Sequence, residues 1–203
     1  MTDRGAPEDA AAMLEGELDS SASLIAAMRA DTAMRDAAAR VDGVVTDAYR
    51  SGGKVILFGN GGSAADSVHI AAEFVGRFLT DRRPLPALSL AANLSAITAI
   101  GNDYGFEKVF ARQLEALGEE GDVAIGLSTS GQSENVIRGF EYAATAGISS
   151  VALTGMEPRG AGQAAEHVIA IPSTATPDIQ QGHMLVAHFI CGWVEHELLA
   201  GRI

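Results

Sequence analysis

Two pairs of polar side chains in this sequence have types and spacings suited to chemistry. His69 and Glu73 are four residues apart, which places both side chains on one face of a helix. Gln180 and His188 are eight residues apart, so on a helix they face broadly the same way, about 80° apart around its axis. If the two pairs converge on one pocket, they can bind a transition metal, carry out acid–base catalysis, or both. A glutamine ligand is uncommon for zinc, which prefers histidine, cysteine and carboxylate.

Each of these residues also has a purely structural interpretation. A single histidine is more often a hydrogen-bonded structural residue than a ligand, and His183 and His196 lie in the same segment as His188. Glu73 can be a solvated helix residue, although its apolar neighbours indicate a buried helix: Ile70, Ala71, Ala72, Phe74 and Val75. Spacing alone leaves the two interpretations evenly balanced.

Two glycine- and serine-rich loops follow predicted strands and precede predicted helices. They cover residues 59–63 and 128–133. Small residues let the backbone approach a ligand closely, and hydroxyls and free helix amides donate hydrogen bonds to an anion. One such loop is more often only a tight turn with an N-cap. Two at the carboxyl edge of one sheet, where α/β proteins bind ligands, favour a phosphate site.

Neither loop is a nucleotide-binding motif. The P-loop pattern Gly-x-x-x-x-Gly-Lys-Ser/Thr is absent. The dinucleotide fingerprint Gly-x-Gly-x-x-Gly is incomplete, because Ala64 stands where the third glycine belongs. A dinucleotide site is therefore the weaker interpretation.

The rest of the sequence predicts the elements that position these residues. Two helices come first, over about residues 7–29 and from a capping Asp31 to Gly52. Short apolar strands then alternate with helices, which is typical of βαβ units with right-handed crossovers. We expect strands at 54–58, 87–90, 123–127, 150–153 and 167–171, and helices at about 63–78, 94–100, 106–117, 133–146 and 178–200.

These elements predict one α/β domain over residues 1–203 with a five-stranded, mostly parallel sheet. Residues 1–52 would form N-terminal helices for packing or oligomerisation. Residues 53–203 would form the α/β core.

Composition narrows the function classes. The 203 residues carry 14 basic and 26 acidic side chains, a net charge of −12, which disfavours binding to nucleic acid or to an anionic membrane. The single cysteine, Cys191, allows no intrachain disulfide, and the N-terminus shows no secretory signal, so a cytoplasmic location is expected. The most apolar stretch, residues 85–100, is interrupted by proline and polar residues and is not a membrane span.

Together, these motifs closely resemble the phosphoheptose isomerase family. The resemblance extends over about residues 20–200. Its loops are shared with all sugar isomerase (SIS) domains, whereas the combination of two histidines, a glutamate and a glutamine is more specific. The segments that carry it are residues 59–63, His69, Glu73, residues 76–77, residues 101–106, residues 128–133, residues 153–155, residues 179–180 and His188.

The resemblance implies a fold and an activity. The family fold is a flavodoxin-like three-layer αβα sandwich, and its members are homotetramers. They convert sedoheptulose 7-phosphate to glycero-manno-heptose 7-phosphate through an enediol, the first step toward nucleotide-activated heptose. We therefore expect a sugar-phosphate substrate and self-association.

The resemblance also implies roles for individual residues. Glu73 would be the base that abstracts the C1 proton, with His188 as its acid–base partner. Arg77 matches a family position near the active site without a definite role. The phosphate would be held by Ser63, Ser128, Ser130 and Ser133, with help from Thr129, and the sugar contacted by Asn60, Gly61, Gly62, Glu73, Asn102, Asp103 and Gln180. One zinc ion per subunit would be bound by His69, Glu73, Gln180 and His188.

Two alternatives compete with this interpretation. One is a non-catalytic relative that binds the bacterial replication initiator and, by family comparison, lacks the acidic residue and the final histidine. This chain has both Glu73 and His188. The other is an isomerase acting on a different sugar phosphate.

Overall fold

The computed structural model describes residues 9–203 and is built on a five-stranded sheet. The spatial order of the strands is β2-β1-β3-β4-β5, and every neighbouring pair is parallel. This is the strand order of flavodoxin-like folds, which confirms the predicted fold class with a sheet that is wholly parallel. The strands are β1 (Val55–Gly59), β2 (Ala87–Ser89), β3 (Val123–Ser128), β4 (Ser149–Thr154) and β5 (His167–Ala170).

Eight α-helices and one 3₁₀ turn connect and flank these strands within the described residues. The first two precede the sheet, and Asp31 caps the second as predicted, accepting the Met34 amide at 2.9 Å. The helices are α1 (Ala10–Ala30), α2 (Thr32–Arg50), α3 (Gly62–Val75), α4 (Leu94–Tyr104), α5 (Ala111–Leu117), α6 (Glu134–Thr145), α7 (Arg159–Ala164) and α8 (Thr176–Leu199), with the 3₁₀ turn at Phe106–Lys108.

The helices form two layers because both faces of the sheet are apolar. Successive strand residues point to opposite faces, so Leu57 and Ile125 belong to one core and Phe58 and Ala124 to the other. The first core is completed by α1, α2, α3 and α8, and the second by α4 to α7. The predicted three-layer sandwich is therefore confirmed.

Several elements differ from the predictions, among them α3, which ends at Val75 instead of residue 78. The helix expected over 106–117 is a 3₁₀ turn followed by α5, and α4 continues through Gly101 to Tyr104. The short helix α7 was not predicted, because Gly160 and Gly162 lower its helix propensity. The start of the first predicted helix, residues 7–8, lies outside the described residues.

The longest helices are α1, with 21 residues, and α8, with 24 residues. No helix in residues 9–203 is both long and apolar enough to cross a membrane.

Candidate active site

The two glycine- and serine-rich loops lie at the point between β1 and β3 where the order of the strands changes direction. Strands β1 and β3 are neighbours, with Gly59 paired to Leu127 at their carboxyl ends. The helix after β1 packs on one face of the sheet and the helix after β3 on the other. A crevice at this position is the usual ligand site of an open α/β sheet.

Backbone geometry in both loops requires glycine. Gly61 has a φ of +56° and Gly131 a φ of +64°, a region that side chains disfavour. A Cβ on Gly59 would lie 2.9 Å from the Cβ of Ser63, so β1 and the start of α3 approach too closely for a side chain. The chain can therefore turn sharply at the end of each strand and aim helix amides at the crevice.

Side-chain hydrogen bonds join the two loops to each other. Asn60 Nδ2 donates to Asn135 Oδ1 at 2.8 Å, and Asn135 Nδ2 donates back to Asn60 Oδ1 at 2.9 Å. Within the second loop, the Ser128 hydroxyl donates to Ser133 Oγ at 3.1 Å. Sequence reasoning missed Asn135, which is buried on α6 and has no motif of its own.

The helices that begin at these loops leave their first amides free for a ligand. Neither Gly61, before α3, nor Ser133, before α6, caps its helix with a side-chain hydrogen bond. Uncapped amides at a helix N-terminus bind anions without any lysine or arginine. Ser63 and Ser128 are buried beside them, and Ser130 is exposed. The arrangement suits a phosphate group.

An open cavity of about 380 Å³ adjoins the second loop. Thr129 and Ser130 form one of its walls. The other walls come from the connections after β4 and after β5 and from the first residues of α7 and α8: Gly155, Met156, Glu157, Arg159, Ser173, Thr174, Thr176 and Ile179. Residues of the proposed acid–base group do not line it, so the cavity extends the crevice toward β4 and β5.

Helices α3 and α8 lie side by side and bring three of the candidate residues together. His69 Nε2 lies 3.1 Å from His188 Nε2 and 3.4 Å from Glu73 Oε1. The rings of His69 and His188 meet edge to face, with centroids 5.4 Å apart. Glu73 is 21% exposed and His69 48% exposed, so a ligand can reach the group from solvent.

Other predicted residues lie outside this group. The Gln180 amide packs against Gly62, about 10 Å along α3 from His69, and makes no hydrogen bond to His69, Glu73 or His188. Asn102 and Asp103 end α4, where the amide of Asn102 donates to Asp103 Oδ1. Gln180 therefore lies by the first loop rather than by the histidine pair.

Asp66 was missed by the sequence analysis and lies on the same face of α3 as His69. Its Oδ2 is buried and has no hydrogen-bond partner among residues 9–203. Burial raises the pKa of Asp66, and the nearby His69 opposes that rise. Its three-residue spacing from His69 is the sequence signal that would have found it.

The two competing histidines of α8 have other surroundings. His183 is fully buried, and its Nε2 lies 3.1 Å from the Thr154 carbonyl oxygen. Burial lowers the pKa of His183 to about 4, so it is neutral near pH 7. His196 is exposed beside Trp193. Only His188 of these three faces α3 and Glu73.

Comparisons with known proteins give the family. Residues 18–155 match the SIS domain family. A phosphoheptose isomerase from Burkholderia pseudomallei is 47% identical over 175 residues, covering 86% of this chain and 89% of that protein. One from Aquifex aeolicus is 52% identical over 155 residues, covering 76% and 81%. The chain belongs to the phosphoheptose isomerase family of SIS domains.

A solved structure from the phosphoheptose isomerase family has the same fold. The phosphoheptose isomerase from Neisseria gonorrhoeae superimposes with a TM-score of 0.87 at 32% identity, covering 93% of this chain and 100% of that one. The likeness therefore includes the N-terminal helices as well as the sheet.

The family resemblance implies zinc, and the donor atoms at the α3–α8 contact suit it chemically. Two imidazole nitrogens and a carboxylate are ligands that zinc prefers. The 3.1 Å between the two Nε2 atoms is close to the separation of about 3.4 Å expected around a tetrahedral ion. No three His, Cys, Asp or Glu side chains of residues 9–203 are grouped at metal-site spacing. The histidine pair thus presents the best-placed donors, with Glu73 beside them.

Proposed function

We propose that this protein is an isomerase that converts sedoheptulose 7-phosphate to D-glycero-D-manno-heptose 7-phosphate, the first step of nucleotide-activated heptose biosynthesis. The observation that carries the proposal is the meeting of His69, Glu73 and His188 near a loop pair that suits a phosphate. Membership of the phosphoheptose isomerase family supports the same substrate and favours the isomerase over the initiator-binding alternative.

In this proposal, the two loops hold the phosphate of the substrate. The hydroxyls of Ser63, Ser128, Ser130 and Ser133 and the free amides of α3 and α6 supply the donors. Neutral donors suffice here, which is consistent with a chain of net charge −12. The sugar then extends from the loops toward α3 and α8. Thr129 helps through its loop, and the sugar contacts are the predicted ones with Asn60, Gly61, Gly62, Glu73, Asn102, Asp103 and Gln180.

Glu73 and His188 supply the proton transfers. Glu73 takes the C1 proton of the ketose while His188 gives a proton to the C2 carbonyl oxygen, which produces the enediol. His188 then takes the proton of the C1 hydroxyl, and the Glu73 carboxyl gives a proton to C2. No net proton is gained or lost, and the product is the aldose.

We also propose that His69, His188 and Glu73 are the residues that would hold a zinc ion. Gln180, the fourth predicted ligand, lies beside Gly62, about 10 Å along α3 from His69. In the zinc-bound state His188 would exchange protons through Nδ1, because a metal-bound Nε2 carries no proton. When bound, zinc polarises the carbonyl and orients the hydroxyl groups. His69 lies between the other two side chains and therefore keeps them close together.

The expected assembly is a cytoplasmic homotetramer. Support comes from apolar side chains on α1 and α8 that are exposed in a single chain, including Leu18 at 62% and Phe189 at 45%. Such surface is unusual for a monomer and typical of a subunit interface.

The decisive experiment is incubation of the purified protein with sedoheptulose 7-phosphate in D₂O, followed by NMR. The expected result is an aldoheptose 7-phosphate with deuterium at C2. A parallel sample treated with a chelator should lose activity and regain it with zinc.

Two results would contradict the proposals separately. A folded protein that converts none of the substrate under any metal condition overturns the isomerase. Full activity after complete metal removal is consistent with the proposed isomerase activity but refutes the proposed zinc site.

A further inference from the structure

The segment that follows α3 is anchored to α8 by one buried carboxylate. Glu195 is 3% exposed and accepts three consecutive backbone amides. Its Oε2 accepts the N–H of Phe78 at 3.1 Å, and its Oε1 accepts those of Leu79 at 3.0 Å and Thr80 at 2.7 Å. This contact fixes the path of the chain a few residues beyond Glu73.

A buried arginine caps the C-terminal end of α3. The side chain of Arg82 is 2% exposed, and its guanidinium donates to carbonyls that the helix leaves unpaired. Nη2 donates to the Glu73 carbonyl at 2.7 Å, and Nη1 donates to the Phe74 carbonyl at 2.8 Å and to the Gly76 carbonyl at 3.1 Å. The backbone of Glu73 is therefore held directly by Arg82.

Arg82 and Glu195 also form a buried ion pair. Arg82 Nε lies 3.4 Å from Glu195 Oε2, and this nitrogen makes no hydrogen bond within the part of the chain that the structure describes. Burial favours a raised pKa for Glu195, but the three amides and Arg82 outweigh it and lower that pKa. Glu195 therefore stays charged as a partner for Arg82.

The anchored segment reaches His188. The ring of Phe78 stacks on the His188 imidazole, with centroids 5.3 Å apart and planes 24° apart. The amide of the same residue is held by Glu195. The buried pair thus touches the backbone of Glu73 on one side and the residue covering His188 on the other.

We propose that Arg82 and Glu195 are positioning residues for proton transfer, holding Glu73 on α3 and Phe78 over His188 on α8. This inference rests on the proposed function. Neither residue touches the phosphate loops. Their loss should therefore lower kcat and leave the KM for sedoheptulose 7-phosphate nearly unchanged. A merely structural role lowers the amount of folded protein and leaves the kcat of each folded molecule unaltered.

The kinetic test uses Glu195→Gln and Arg82→Lys, with matched controls. Glu197→Gln is the control for the first, because Glu197 is a buried acid on the same helix whose arginine partners are Arg50 and Arg202. Arg83→Lys is the control for the second, because Arg83 is exposed. Rates are normalised to folded protein measured by thermal unfolding.

We expect kcat to fall at least about tenfold in Glu195→Gln and Arg82→Lys, with KM within about twofold of wild type. In both controls kcat should stay within about twofold of wild type. Unchanged kcat in both test variants, or an equal loss in Glu197→Gln, overturns the inference.

A second measurement does not depend on turnover. In the histidine-ring ¹³C–¹H NMR spectrum, the stacked Phe78 ring should displace the His188 signal, which His188→Gln identifies. That displacement should shrink in Arg82→Lys and remain in Arg83→Lys. If the His188 signal has the same position in Arg82→Lys as in the wild type, the inference is overturned. This holds even if the wild-type protein proves inactive on the heptose phosphate. If the wild type is inactive but the displacement is lost in Arg82→Lys, the inactivity refutes the proposed function. The lost displacement still supports the positioning role of Arg82.

Discussion

At the scale of residues, the proposed chemistry depends on His69, Glu73 and His188 and on how closely they approach. Each side chain is ordinary by itself. Their contacts of 3.1 and 3.4 Å place a carboxylate and two imidazoles within reach of one substrate carbon pair. His183, five residues before His188, has the same side chain and a different role because it is fully buried.

Replacing the proposed base tests its role directly. Glu73→Gln keeps the size of the side chain but removes the group that accepts the proton, so kcat should fall at least about 100-fold. Unfolding temperature and phosphate binding should be unchanged. NMR of substrate conversion gives the rate, and Glu141→Gln, an exposed glutamate on α6, is the control. Turnover near the wild-type rate would refute Glu73 as the base.

The neutral state of His183 predicts a pH dependence of stability. Its pKa is about 4 when folded against 6.5 for an ordinary histidine, so the unfolded chain binds a proton first as the pH falls. The folded state should thus lose about 2 kcal/mol between pH 7 and pH 5 through this residue. Urea unfolding of wild type and His183→Asn at both pH values isolates this contribution. The wild type should lose about 2 kcal/mol more than the variant, because Asp42, whose pKa burial raises to about 7, titrates over the same range in both proteins. Equal losses in the two proteins would contradict the prediction.

At the scale of elements, the proposed phosphate site depends on loops that pack against each other. The second loop rests on the connection after β4, where the Ala161 amide donates to the Gly131 carbonyl at 2.9 Å. A Cβ on Gly131 would clash with the carbonyl of Pro158. The shape of the second loop therefore depends on a segment that carries none of the predicted site residues.

This packing predicts a substrate-binding defect in Gly131→Ala. The added methyl group must displace the loop, so the KM for sedoheptulose 7-phosphate should rise at least about tenfold, with a smaller change in kcat. Gly121→Ala is the control, because Gly121 also has a positive φ, of +89°, but has no atom within 4 Å of an added Cβ and lies at the other end of β3. Steady-state kinetics give the KM of both variants for comparison with the wild type. Equal KM values would show that the loop tolerates the methyl group.

At the scale of the whole molecule, the distribution of apolar surface separates two kinds of contact. The cores on the two faces of the sheet are buried within one chain. The outer faces of α1 and α8 are not, because Leu14, Leu18 and Trp193 are 44% to 62% exposed. No other part of residues 9–203 covers these side chains.

Self-association through α1 is therefore expected. Light scattering of the wild-type protein should give a mass near 84 kDa, four times the 21.0 kDa of one chain. Leu14→Glu with Leu18→Glu should yield smaller species, because buried charges oppose association. Leu117→Glu, on the opposite face of the sheet, should leave the mass unchanged. A wild-type mass near 21 kDa would overturn the tetramer.

The sequence by itself determined most of the properties that depend on local periodicity, although it missed α7 and predicted one helix where the structure has a 3₁₀ turn and α5. Apolar runs predicted all five strands, and the i, i+4 spacing placed His69 and Glu73 on one helix face. The glycine and serine loops were recognisable because a sharp turn at a strand end restricts the residue types. These properties follow from backbone geometry over a few residues, which a linear pattern records directly.

Only the tertiary structure decided which distant residues meet. It brought His188 to His69, left Gln180 beside Gly62, and joined the loops through Asn135. It also revealed that Arg82 and Glu195 connect the two helices of the acid–base group. Such contacts depend on strand order and on how far one helix is shifted along another. Packing of the whole core sets both, and no spacing within a single segment encodes them.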